Sequence, residues 1–232
     1  ADIADTLRER IYDIVVPKLA MGISKERNLI NPSKDQLTFT YQMALTVLFR
    51  LLFIAYAEDR DLLPYKHNEA YRKRSLKQKS IELAEAASKQ TPISQGDHHW
   101  SEINLLWNAV FHGNTEWGVP AYDGTIFSSE EAVSPEGAAI AKITLPNNLF
   151  EEALRGLLLV ESEDLSYAPV DFRSLSVREF GAIYEGLLAS ELSLARQNLT
   201  MKKNGIYLPA KNDEPVFIEK GEVYLHDQSG AR

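Results

Sequence analysis

The stretch Gln36–Ala57 reads QLTFTYQMALTVLFRLLFIAYA, and the fold turns on whether it crosses a membrane or fills a core. A membrane span needs about 20 apolar residues with few or no charges. Here Arg50 interrupts the run, Gln42 and a series of threonine and tyrosine hydroxyls occupy its first half, and EDRD follows at once at residues 58–61. Those features favour the central buried helix of a bundle. Ser33 with Gln36 three residues on is a capping box that would start it. Pro64 disfavours helix at Leu63 and would stop it near DRDLLP.

Other helices arrange themselves around this one. Ile3, Leu7, Ile11, Ile14 and Val15 recur at helical spacing, with Asp2 or Asp5 as cap and Pro17 expected to kink or end the helix. SIELAEAASKQ reads as a short amphipathic helix. Trp100, Ile103, Leu106, Trp107, Val110 and Phe111 mark another from about Ser101, with Gly113 as its stop and His112 near its C-terminus. HGNTEWGVPAYDGTIFS is an irregular loop whose aromatic residues should pack it down. Phe150, Ala153, Leu154, Leu157 and Leu158 form the stripe of a further helix, capped by Asn147 or Asn148.

FGAIYEGLLASELSLA, residues 180–195, is the most carefully specified helix. Ser176 and Glu179 form a capping box, and Leu175 with Phe180 a hydrophobic staple. Phe180, Ile183, Tyr184, Leu187, Leu188 and Leu192 would be its buried stripe. Gly181 and Gly186 each cost about 1 kcal/mol against Ala, which suggests close approach of a neighbouring backbone. Glu185 and Glu191 lie six residues apart, about 120° on the wheel, so they do not form a catalytic pair.

After Leu199 the period changes. GIYLP, PVFIE and EVYLH are short β-type runs, and VFIEKGEVYL reads as a hairpin around Lys220-Gly221. The expectation is a mainly α, multi-helix, bundle-like domain over 1–199, followed by a small C-terminal antiparallel β-hairpin or sheet over 200–232.

The 232 residues include no cysteine, which removes disulfides and thiol chemistry and suits a cytoplasmic location. The net charge of −8 means that any DNA contact must be local. Lys66–Lys79 is the dense basic stretch, with Lys66, Arg72, Lys73, Arg74, Lys77 and Lys79 against Glu69 alone. It is either a solvated face or a contact to DNA phosphates, with Tyr71 too isolated for base stacking. Gly-x-Gly and Walker patterns, the Glu-x-Lys signature of metal-dependent nucleases and the Asn-Pro-Pro of amino-methyltransferases are absent. His67, His98, His99, His112 and His226 do not make a zinc set, and DHHW reads as exposed or capping histidines. Glu151-Glu152 reads as acids in a first helical turn, and EDRD as a salt-bridged helix end rather than a metal-dependent hydrolase site. No signal peptide is visible, and both ends read as cuts in a longer chain.

Several stretches resemble, in order, fused type IIG and type IIL restriction-modification proteins and their phage-defence relatives. FGAIYEGLLASEL is similar to their LGxIYEGLLxxxL helix, and LLFIAYAEDRDLLP to their helical segment with an acidic-basic end. GVPAYDGTIFS is similar to their G(I/V)PxYxGxLF loop, and KNGIYLPAKNDEPVFI to the strands just ahead of their methyltransferase domain. The resemblance covers most of Phe53–Arg232 and implies the helical connector between a nuclease upstream and a methyltransferase downstream. It implies a parent that transfers methyl from S-adenosylmethionine to adenine N6 in DNA, and that needs Mg2+ where it also cuts. No catalytic, cofactor-binding or metal residue is carried onto this chain, and no cofactor is expected in it. DNA, through the parent, and the flanking domains are the expected partners, with no membrane. The alternative is a stand-alone helical protein-interaction module.

Overall fold

A computed structural model describes residues 2–227 and residue 230. The remaining residues of the 200–232 segment, including its extreme C-terminus, lie outside the described residues. The architecture is mainly α, with three small antiparallel strand pairs among the described residues.

The first helix does not end at Pro17. α1 (Ile3–Arg10) passes through a π-helical turn (Ile11–Val15) into α2 (Val16–Glu26), with Pro17 in the first turn of α2. The Val16 N–H reaches back to the Ile11 carbonyl. Pro17 has no N–H, and its ring would crowd the carbonyl four residues back; widening the turn by one residue relieves both. The inserted residue also shifts the register. Ile14, expected in the buried stripe, is 38% exposed, whereas Val15 and Val16 are buried.

α3 (Lys34–Asp59) is the central helix, and both halves of its Ser33/Gln36 capping box are formed. It is long and apolar enough to cross a membrane, and 67% of its most apolar window is buried inside the fold. Met43, Val47, Leu48 and Ile54 are fully enclosed. Each such side chain contributes about 1.5–3 kcal/mol of transfer free energy. Arg50 is buried too. Its Nε donates to the Ile126 carbonyl at 2.6 Å and its Nη2 to that of Ser128 at 3.2 Å, and the guanidinium lies 4.9 Å from the Trp107 ring centre. Burial lowers its pKa to about 10, so it stays protonated at neutral pH. This charge inside an apolar helix fastens the loop that precedes α7 (Pro135–Ile140).

The basic stretch 66–79 is divided between two helices. α4 (Glu69–Arg74) and α5 (Leu76–Ser88) meet at Ser75, whose side chain caps α5 by accepting from the Gln78 N–H. α6 (His98–His112) stops at Gly113, whose φ of +79° with ψ of 159° is a conformation glycine adopts readily. α8 (Asn147–Leu158) packs on α2 and α6 and leads into the hairpin of β1 (Leu159–Glu161) and β2 (Tyr167–Pro169). Asn147 does not cap α8. It is buried at the first helical position, where its Oδ1 accepts from the His99 N–H and its Nδ2 donates to Ser94.

α9 (Val177–Leu188) has its full Ser176/Glu179 capping box but ends seven residues before Ala195. Ser190 Oγ donates to the Gly186 carbonyl, and β3 (Glu191–Leu194) then pairs antiparallel with β6 (Val223–His226). Of the expected stripe only Ile183 and Leu187 are buried on the helix; Leu192 is buried on the strand. The glycines also differ from expectation. A Cβ on Gly186 would strike the Tyr12 hydroxyl, a side chain rather than backbone, and one on Gly181 meets nothing within 4 Å.

The hairpin around Lys220-Gly221 does not form between its two arms. Phe217 and Ile218 donate to the Leu199 carbonyl, while β6 pairs with β3. β4 (Leu199–Met201) pairs with β5 (Tyr207–Pro209). Strands therefore occur from Leu159 onward within the segment expected to be helical, and the division between 199 and 200 falls inside β4.

Candidate nucleic-acid interface

The six basic residues of the 66–79 stretch divide between surface and interior. Lys66 pairs with Asp61 at 3.2 Å and Lys73 with Glu69 at 3.4 Å, all four well exposed. Arg72 donates to the carbonyls of Tyr65 and Lys66, both at 2.9 Å, and so closes the turn ahead of α4. Arg74 is exposed at the end of α4. Lys77 leaves this face: its Nζ lies 3.0 Å from Asp59 and donates to the Val170 carbonyl. Lys79 is 5% exposed and bonded to Glu102 and His99. It cannot reach a phosphate without being pulled from the core. The correction follows from helical period, because Lys79 shares the inward stripe with Leu76 and Leu83. Lys66, Arg72, Lys73 and Arg74 are what remains for a DNA backbone. Glu82 and Glu102 line the same cleft as Lys73 and Arg74 and weaken its pull on an anion.

The start of α5 could have offered backbone donors to a phosphate. Those donors are already taken. The Glu58 carboxylate, at the end of α3, accepts from the N–H groups of Leu76 (2.8 Å) and Lys77 (2.7 Å) and from the Tyr71 hydroxyl (2.6 Å). Burial raises the Glu58 pKa to about 7, against the opposing pull of the three donors. The rest of EDRD is equally committed. Asp59 accepts from the Phe172 N–H, and Arg60 donates to the carbonyls of Arg173 and Leu175 just before α9. Three helices are thus tied at one corner by the acidic-basic end of α3.

A second junction joins α5, α6 and α8. His99 Nε2 lies 2.8 Å from Glu151 and its Nδ1 3.1 Å from Lys79 Nζ. The neutral ring with its proton on Nε2 satisfies both partners, donating to the carboxylate and accepting from the ammonium. Burial, then the Lys79 and His98 charges, lower the His99 pKa, while the bond to Glu151 raises it. Glu151 also pairs with Arg155 at 2.8 Å. His99 is therefore buried, neither exposed nor capping, and Glu151 is a buried residue past the first turn of α8 rather than an acid placed there for the helix dipole. Helical spacing could have found Glu151, which lies with Asn147, Phe150 and Leu154 on one face. Nothing local could have found its partners. No three His, Asp or Glu side chains converge as a metal set among the described residues.

Comparison with protein-family models, with curated proteins and with solved structures gives no match.

Proposed function

We propose that this chain is the helical connector of a fused DNA restriction-modification protein, a cytoplasmic enzyme whose methyltransferase domain modifies adenine at N6. One observation supports this reading: two of the other stretches that resemble that family pack on the 51–64 stretch, which makes three of the four contiguous. Tyr122 donates to the Leu62 carbonyl at 2.9 Å, and the rings of Phe53 and Tyr122 meet at 5.7 Å. Tyr56 meets Phe180 edge-on at 5.1 Å, and Arg60 holds the backbone just before α9. Segments far apart in sequence that share one corner form a structural unit rather than scattered likenesses. The role of such a unit is mechanical. It holds the catalytic domains at a fixed separation, and Lys66, Arg72, Lys73 and Arg74 touch the DNA backbone weakly and without sequence preference.

The test takes the parent protein, duplex DNA and S-adenosylmethionine carrying a labelled methyl group. Label on adenine N6 is the expected result. A parent with neither adenine methylation nor an Asn-Pro-Pro-Tyr/Phe motif overturns the proposal. The isolated 232-residue chain should bind no S-adenosylmethionine by calorimetry. A second reading, a protein-interaction module, is favoured by the uncovered apolar side chains of α9.

A further inference from the structure

The outward face of α9 is apolar, and the fold covers it only at one edge, where the Tyr184 ring meets that of Phe49 at 5.2 Å. Val177, Tyr184 and Leu188 are 76%, 47% and 58% exposed. With Gly181 they follow one another at spacings of four, three and four, which puts them on one stripe of the helix. Gly181 is open at its Cβ position, so a backbone can approach the middle of the stripe. Along one flank lie Arg178 and Glu185, both exposed and neither in an ion pair among the described residues.

We infer that a second copy of this chain docks on this face, α9 against α9, antiparallel about a two-fold axis between Gly181 and Ala182. Charge complementarity selects this occupant. Arg178 and Glu185 are equidistant from that axis, about 10 Å apart along the helix. In an antiparallel pair both lie on the same flank, so each Arg178 faces the partner's Glu185 and the bridge forms twice. A parallel pair would put the two charged flanks on opposite sides and form neither bridge. Gly181 lies at the crossing and lets the helices close, so that Val177, Tyr184 and Leu188 cover the partner's stripe. One short helix on each side makes a small interface, so the dimer is reversible. This inference is independent of the connector reading.

Sedimentation of the 232-residue chain across the micromolar range tests it. The wild type should pass from monomer to dimer. Arg178→Glu and Glu185→Arg should each weaken association by at least about tenfold, since each sets like charges opposite one another twice. Mixed together, these two variants should form a heterodimer, because every opposing pair is then complementary. Gly181→Leu should fold with undiminished thermal stability and lose the dimer. A wild type that stays monomeric overturns the proposal, and so do charge variants that associate as tightly as wild type. The exposed sites of all three substitutions leave the core untouched, and circular dichroism checks that each variant is folded.

Discussion

Two buried polar junctions lie a single turn apart along α5 and handle charge in opposite ways. Glu58 is met by a phenol and two backbone N–H groups, all neutral. Glu151 is met by Arg155 and by a histidine that itself touches Lys79. Neutral donors satisfy the hydrogen-bonding capacity of a carboxylate without offsetting the loss of water around its charge. The Glu58 pKa therefore rises to about 7. At the other junction the imidazole bears the strain, and its pKa falls.

Removing Glu58 should have the largest effect. Glu58→Ala leaves the Tyr71, Leu76 and Lys77 donors without their acceptor at a buried helix start, and should cost about 3–5 kcal/mol in urea unfolding. A loss below about 1 kcal/mol would mean that water replaces the carboxylate and that the contrast between the junctions is false.

The pH dependence comes next. Glu58 has a raised folded pKa, so its contribution is fully present below the unfolded value of 4.5 and is lost as pH rises through about 7. Measured against Glu58→Gln, the wild type should be favoured by about 2–3 kcal/mol more at pH 5 than at pH 8. His99 has the opposite sign. Its lowered pKa gives stability present above 6.5 and lost as pH falls through the folded value. Replacing His99 should flatten the acid limb of the stability curve. The same slope for both variants would remove the distinction.

Glu151→Ala should cost about 2 kcal/mol, less than a fully enclosed pair because Arg155 keeps partial access to water. The smallest effect on stability belongs to Lys73→Glu with Arg74→Glu, within about 0.5 kcal/mol of wild type. That double variant should nevertheless weaken DNA binding at low salt in an electrophoretic shift assay. Unchanged DNA affinity would remove α4 as a contact. Lys79→Glu should instead cost about 2–3 kcal/mol, because it puts a third carboxylate beside Glu82 and Glu102.

The comparison between α3 and α9 separates what was legible from what was not. Both begin with a capping box in the sequence, and both form it. The cap fixes where a helix starts because its hydrogen bonds close within three residues. It carries no information on what covers the helix afterwards. α3 is enclosed, while α9 keeps one stripe in solvent. The far end of α9 is not legible locally for a related reason. ELSL suits helix or strand locally, and its partner VYLH lies about thirty residues further on.

By itself the sequence determined the mainly helical class, the starts of α3 and α9, the stop of α6 at Gly113 and the β character after Leu199. These follow from short-range rules: periodicity, caps, and the backbone freedom of glycine. Only the tertiary structure decided that Pro17 is absorbed by a π turn, that Lys79 and His99 turn inward, that Glu58 closes the start of α5, and that β6 pairs with β3. All but the π turn depend on a partner distant in the chain. A charged side chain is as compatible with water as with a buried counter-charge until that partner is in place.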